Sequence, residues 1–425
     1  MGWLDSVALF LIGCVGLHVP RSFTLLYVLI ALIFGLSRRQ IRDVVPEARE
    51  FHRWQLTVLL LVLFSATYCL GMVFWGFWTW SSDRLDLINA LLLPALLFVA
   101  GLQAASLGRM WSTRLLLAYA LGAVLYPLIA LMLAREPWWA WGQIFPSEIR
   151  VPWGASTVMN VRSVEQNAYP ALLLLPPALL LLIRPGQRAR RLLVTVLVGL
   201  GLLGAHVVWS LNGRLGWLAL LCAGLPIVGL VAAGPGRQAF HWWRKPAVLL
   251  LLALGALSTF LKLRSLIGSA NQGIWSQGFC DERFGLYGAM LTHLHHAPWG
   301  GRLLRVAFDG CGTPMSFAAE GAQLKMAHNV VLDVYFDVGL ISTLLLLAAV
   351  LPPLVVTLRG FLLSWLHWDW QVSLRWGWLC LLLCQWLFAP LLYSDGLLFY
   401  LSFFLLGLFA VESTRGFDVA AIKNP

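Results

Sequence analysis

Long apolar runs recur along the whole chain, separated by short polar segments. A bilayer core takes about 20 apolar residues per helix. On that measure the pattern predicts about twelve membrane-spanning helices, at 4–18, 22–36, 55–78, 87–106, 115–134, 168–183, 192–211, 216–233, 247–263, 329–358, 374–392 and 397–413. Two of them contain Pro-Pro pairs, Pro176-Pro177 and Pro352-Pro353. Proline kinks a lipid-embedded helix but is tolerated where neighbours satisfy the freed carbonyls. No internal repeat and no interdomain linker interrupts the series. The expected organisation is one polytopic membrane domain over 1–425, all-α, with two longer external loops at 135–167 and 264–327. The N-terminus is apolar but lacks a basic n-region and a cleavage pattern, so its first helix is expected to be retained.

Composition supports the pattern. Of 425 residues, 60% are hydrophobic and 12% charged, about half the charged share of a soluble domain. That excludes an ordinary globular enzyme, a disordered chain and a secreted disulfide scaffold. The 22 Trp and 23 Phe suit aromatic belts at two interfaces. A net charge of +11 would suggest nucleic acid in a soluble protein. Its distribution gives another reading, with no nucleic-acid partner. Twelve spans put both termini on one side. The segments of that side, with Arg375, hold eighteen Lys and Arg, against Arg21, Arg84 and Arg214 in the short loops opposite. Positive residues favour the cytoplasm, so both termini are expected there.

Few charges fall at membrane depth: His206, Asp333 and Asp337 are the candidates for a path or site. Polar residues gather instead on the external side. Loop 135–167 carries Arg150, Arg162, Glu165, Gln166 and Asn167. The turn Asn212-Gly213-Arg214 presents a guanidinium. The large loop carries Arg264, Asp281, Glu282, Arg283, three His and Lys325, and His328-Asn329 opens the tenth segment. Several arginines at a water–lipid boundary suit a pyrophosphate, because guanidinium pairs bidentately with phosphate oxygens and keeps its charge. Taken singly, each is equally a residue snorkelling to lipid headgroups.

Asn329, Asp333 and Asp337 recur at i, i+4, i+8 and share a helical face, with His328 above it. A neutral imidazole there can take a proton from a hydroxyl. A His at a helix start also serves simply to cap or pack. Neither Asp83 with Asp86 nor the His293, His295, His296 run has ligand geometry for one ion, and no zinc-type spacing occurs. No metal and no other cofactor is expected. Cys14, Cys69, Cys222, Cys380 and Cys384 lie in apolar spans as small packing residues. Cys280 and Cys311 are the only pair in an external loop, and a disulfide between them is expected. It would restrict the unfolded loop by roughly 3–4 kcal/mol and hold the segment carrying Arg283.

The order of these pieces resembles a known family. His328-Asn329, nine residues, then Gly339-Leu340-Ile341-Ser342 is similar to the His-Asn/Ser/Gln-x9-Gly signature of bacterial O-antigen ligases. These belong to a superfamily with O-antigen polymerases and protein O-oligosaccharyltransferases. Asn212-Gly213-Arg214-Leu215-Gly216-Trp217 resembles the family's Arg-containing turn. Arg283 with His296-Ala297-Pro298-Trp299-Gly300-Gly301 resembles its Arg…Pro-x-Gly stretch, and Arg162…Asn167 its Arg…Asn pair. The resemblance covers most of 150–350. The chain departs from the pattern at Ser342, where the signature has Gly, Thr or Tyr. It departs also at Gly213-Arg214, which reverses the commoner order, and at Asp337, where relatives often carry Glu.

The resemblance implies a glycosyltransferase C-like (GT-C) membrane fold in the bacterial inner membrane, with a periplasmic site. The implied reaction moves O-antigen glycan from undecaprenyl diphosphate to a hydroxyl of lipid A–core, with inversion and without metal. His328 would act on the acceptor; Arg214, Arg283 and Arg162 would hold the diphosphate; Asn329, Asp333, Asp337 and Asn167 would support them. A polymerase or a protein O-oligosaccharyltransferase would share the donor and differ in acceptor. A twelve-helix transporter or flippase is the reading from another class, and it predicts internal repeats and broken polar helices.

Overall fold

A lipid core offers backbone N–H and C=O groups no partner, so apolar runs of this length fold as helices. The computed structural model is a helical bundle with two very short strand pairs. It describes residues 3–16, 24–41, 54–133, 148–150, 158–183, 188–210, 214–232, 294–296, 298–301, 306–307, 316–317, 329–364, 368–388 and 397–414. The first five helices are α1 (Trp3–Gly16), α2 (Thr24–Ile41), α3 (Gln55–Phe74), α4 (Arg84–Ser106) and α5 (Arg109–Leu133). Strands β1 (Glu148–Arg150) and β2 (Val158–Asn160) pair antiparallel, with Ile149 opposite Met159. There follow α6 (Val161–Leu172), α7 (Leu175–Ile183), α8 (Arg188–Ser210) and α9 (Arg214–Ala232). A second antiparallel pair, β3 (Val306–Ala307) and β4 (Ser316–Phe317), precedes α10 (Val330–Val338), α11 (Leu340–Ser364), α12 (Trp370–Phe388) and α13 (Leu397–Thr414).

Among the described residues, four helical segments are long and apolar enough to cross a membrane: Gln55–Phe74, Arg84–Ser106, Arg191–Trp209 and Leu340–Ser364. Their outward faces carry exposed Leu, Val and Phe, including Leu59, Val62, Leu202, Leu344 and Val355. A water-soluble surface rarely sustains such a patch.

Every expected segment except 247–263, which lies outside the described residues, falls on helix, but two differ in form. The 329–358 run is two helices, α10 and α11, broken at Gly339. The 168–183 run starts earlier, at Val161, so Arg162 and Asn167 sit on a helix and not in a loop. It breaks at Leu173-Leu174, because Pro176 and Pro177 have no N–H for the carbonyls four residues back, at Leu172 and Leu173, and their rings crowd those carbonyls, while prolines suit the first turn of the next helix. The Leu173 and Leu174 N–H groups still donate to Tyr169 and Ala171 carbonyls. By contrast α11 runs unbroken through Pro352-Pro353.

Helices in lipid associate through close packing more than through the hydrophobic effect, so small residues mark their contacts. A Cβ at Gly101 of α4 would fall on the Phe404 carbonyl of α13, and one at Gly407 on the Phe98 carbonyl of α4. Gly122 of α5 meets the Gly13 carbonyl of α1 in the same way. Gly204 and Gly201 of α8 lie against Leu172 and Leu175, which makes α8 antiparallel to α6 and α7.

One end of the bundle is closed by charge. Arg375 of α12 is fully buried. Its Nε donates to Glu412 Oε2 at 2.6 Å. One terminal nitrogen donates to Thr113 Oγ1 and the Gln371 carbonyl, and the other to Ser112 Oγ, Glu412 Oε1 and the Arg109 carbonyl. Beside it Arg109 pairs with both Asp369 oxygens at 2.6 and 2.7 Å, and Asp369 Oδ1 accepts the Val372 N–H. This clamp ties the start of α5, the start of α12 and the end of α13, and leaves the opposite end for the residues below.

Candidate functional site

The nine-residue interval in His328-Asn329-x9-Gly339 is the length of one short helix. Asn329 is the N-cap of α10, with extended backbone. Its Oδ1 accepts the N–H groups of Val331 (3.0 Å) and Leu332 (3.1 Å). Its Nδ2 donates to the Leu387 carbonyl at the far end of α12 (3.3 Å). Gly339 ends the helix with φ 94° and ψ −176°, a conformation open essentially to glycine alone. Between these two residues α10 bridges α12 and α3. Val338 packs on Gly71, and the buried Tyr68 hydroxyl donates to Asp337 Oδ2 at 3.5 Å. Ser342, just past the break, donates to Thr67 Oγ1 at 3.0 Å. The element is a crossbar laid between two long helices, at the end of the bundle away from the Arg375 clamp.

A second piece of sequence locks onto that crossbar. Pro298-Trp299-Gly300-Gly301 forms a turn whose backbone is pinned to the α10–α11 break. Leu340 N–H donates to the Pro298 carbonyl (2.9 Å), and Gly301 N–H to the Asp337 carbonyl (3.0 Å). Trp75 Nε1 donates to the Trp299 carbonyl at 3.2 Å. Gly300 faces Gly339 so closely that a Cβ would lie 2.6 Å from the Gly339 nitrogen, and a Cβ at Gly301 would enter the Trp75 ring. Upstream, Tyr335 donates to the Leu294 carbonyl at 2.6 Å. The two motifs that were separate in sequence are therefore one structure.

Asp333 and Asp337 are both buried on the crossbar. The expected single face of Asn329, Asp333 and Asp337 needs correction, because Asn329 stands outside the helix as its cap. Arg162 lies in the first turn of α6 and Arg214 opens α9, and for these two the backbone alone is described. Both belong to the crossbar end. The Cys222 carbonyl of α9 accepts Trp376 Nε1 at 3.2 Å, while its thiol faces Cys380 and Cys384. Helical side chains lean toward the N-terminus, so α9 starts at the Leu387 end of α12. The short 211–213 connection brings the end of α8 there too, and antiparallel α6 begins beside it. Asn167 is buried on α6.

Compared with known proteins, the chain matches no family model and no curated sequence. The geometry therefore carries the functional reading. His328, Arg283, Cys280 and Cys311 lie outside the described residues, as does His293; His295 is exposed in the turn Leu294–His296. Of the seven cysteines, Cys69, Cys380 and Cys384 are buried free thiols, and Cys14 and Cys222 are half-buried. His206 is half-buried on α8. Asp83 shapes the α3–α4 connection. It accepts the Thr79 N–H at 2.8 Å and the Ser82 hydroxyl, and these bonds hold its carboxyl below the usual carboxylate range.

Sequence reading missed Tyr68, Thr67 and Trp75 as partners of the crossbar. The available signal was the aromatic density of Phe74-Trp75-Gly76-Phe77-Trp78-Thr79-Trp80 directly after an apolar run. The cap itself is testable. Asn329→Ala should lower stability by about 1 kcal/mol, as loss of an N-cap does, while Asn329→Ser should recover most of that in a detergent melting assay. Equal loss in both variants would mean that the Leu387 bond, not the cap, holds the position.

Proposed function

We propose that this chain is an integral-membrane glycosyltransferase of the O-antigen ligase kind, with about twelve spans in a GT-C-like arrangement and both termini in the cytoplasm. The observation that carries the reading is the interlock at one end of the bundle. The Asn329-x9-Gly339 crossbar and the Pro298–Gly301 turn form one unit there, at the end where the helices of Arg162 and Arg214 begin. That end is taken as periplasmic.

In the proposed reaction an acceptor hydroxyl attacks the anomeric carbon of a lipid-linked glycan. The new glycosidic C–O bond forms as the bond to diphosphate breaks, with inversion. His328 receives the hydroxyl proton, and the arginines Arg214, Arg283 and Arg162 neutralise the charge growing on the leaving diphosphate. Undecaprenyl diphosphate is the donor carrier and lipid A–core the acceptor. A polymerase or protein O-oligosaccharyltransferase differs only in acceptor. The transporter reading has less support, since the α6–α7 break is lined by leucines whose N–H groups are paired and the α10–α11 break is filled by the Pro298–Gly301 turn.

The test is purified protein with lipid-linked glycan and lipid A–core, without ATP or added metal. Transfer to lipid A–core supports the ligase; transfer only onto a second glycan makes it a polymerase. His328→Ala should lower turnover by about 10²–10⁴-fold, the range for a lost general base, with normal insertion and yield. Near wild-type turnover removes His328 from the mechanism. Lys at Arg214 or Arg283 should restore little of what Ala loses, because a point charge does not replace the fork.

A further inference from the structure

The surface beside the crossbar changes character in one direction. On α3 the exposed residues run from Leu70 and Val73 to Phe74, which is 79% exposed. Then come the half-buried Trp75 and, at 70% exposure, Trp80. The connection ends in Thr79, Ser81, Ser82 and Asp83, a mutually hydrogen-bonded polar group whose carboxylate is held ionised. Across the junction α11 repeats the order: Leu344, Ile341 and Leu340 are exposed, and Trp299 stands next to them at 69% exposure. The two series meet physically at the Trp75 indole, which donates to the Trp299 carbonyl and lies against Gly301.

Apolar, then aromatic, then ionised is the order that a bilayer imposes from hydrocarbon through headgroups to water. Indole, with an apolar body and one N–H donor, partitions to the middle layer. We infer that Phe74, Trp75 and Trp299 form an interfacial anchor that seats the Pro298–Gly301 turn, and the α10 crossbar bound to it, at the headgroup depth of a phospholipid bilayer. The aromatics continue the exposed apolar faces of α3 and α11, and that continuity identifies lipid as the occupant. A sugar stacking on the same rings would not require those flanking faces. The turn makes the anchor effective, because three hydrogen bonds fix its backbone to Asp337, Leu340 and Trp75 while the Trp299 indole projects outward. The inference rests on the helical membrane architecture and is independent of the transferase reading.

Depth measurement tests it. Single cysteines at Leu70, Phe74, Trp299 and Ser81, in a background lacking the seven native cysteines, would carry a nitroxide. The full chain would be reconstituted in phosphatidylethanolamine–phosphatidylglycerol bilayers. Collision with oxygen, relative to a water-soluble nickel chelate, should fall in the order Leu70, then Phe74 and Trp299 together, then Ser81. Phe74 and Trp299 should lie within about 5–7 Å of the hydrocarbon edge, the width of one interfacial layer. A Trp299 label as nickel-accessible as the Ser81 label overturns the anchor. So does a water-exposed Trp299 label that becomes immobilised on adding soluble oligosaccharide, which would make the patch a sugar platform. If Trp299→Cys fails to fold, Phe74→Cys decides alone, since that side chain is mostly exposed, and a water-like reading there overturns the proposal.

Discussion

Arg375→Met should cost the folded protein about 3–5 kcal/mol, the range for breaking a buried ion pair on one side. Arg375 is entirely enclosed and Glu412 nearly so. Every guanidinium N–H has an acceptor, two of them on the Glu412 carboxylate. Removing the guanidinium leaves that carboxylate buried, with the Ser112 hydroxyl still donating to it. It also takes one donor each from the Thr113 and Ser112 hydroxyl oxygens and the Gln371 carbonyl, while the Arg109 carbonyl keeps the Ser112 and Thr113 hydroxyls. Glu412→Leu strands the opposite charge and should cost a similar amount. The double variant Arg375→Met/Glu412→Leu removes both charges, and most of the loss should return, because two apolar side chains of similar volume can replace a buried pair at little cost. Unfolding in graded SDS, followed by tryptophan fluorescence, measures all three. If the double variant falls as far as the sum of the singles, the pair is not coupled and the clamp is not what closes that end.

Much of the helical layout was legible in the apolar runs, because a 20-residue stretch of Leu, Val, Ala and Phe has one economical conformation in lipid. The crossbar was legible only in part. The run from Val330 to Val350 is apolar enough to read as one helix, and nothing local reveals that Gly339 takes φ 94°. That angle depends on the Pro298–Gly301 turn, more than thirty residues upstream. The spacing of Asn329 and Gly339 could be seen, but its meaning as a cap and a terminator needed the packing. The clamp was missed for a similar reason. Arg375 at a helix foot reads as one more cytoplasmic positive charge, and its partner Glu412 lies on another helix, 37 positions away. The helices that Arg162 and Arg214 begin take their directions from the Gly204–Leu172 and Cys222–Trp376 contacts, which no local sequence pattern contains.

Gly339→Ala should be among the most damaging methyl additions in the chain. The backbone there occupies a region that costs a residue with a side chain about 1–3 kcal/mol. The new methyl would lie 2.6 Å from the Trp299 carbonyl carbon and 2.7 Å from the Pro298 oxygen, and overpacking of that kind costs about 1–3 kcal/mol more. Neither neighbour can retreat without breaking the Leu340–Pro298 or Gly301–Asp337 bond. Gly300→Ala meets the same obstacle from the other side, at φ 83° and against the Gly339 nitrogen. Gly76 provides the control. Its φ is 71°, yet no atom lies within 4 Å of where a Cβ would stand, so Gly76→Ala should carry only the left-handed backbone cost of about 1–2 kcal/mol. Thermal melting of the three variants in one detergent should rank Gly339→Ala and Gly300→Ala well below Gly76→Ala. If all three melt alike, backbone conformation alone explains the glycines, and the turn does not bear on the crossbar.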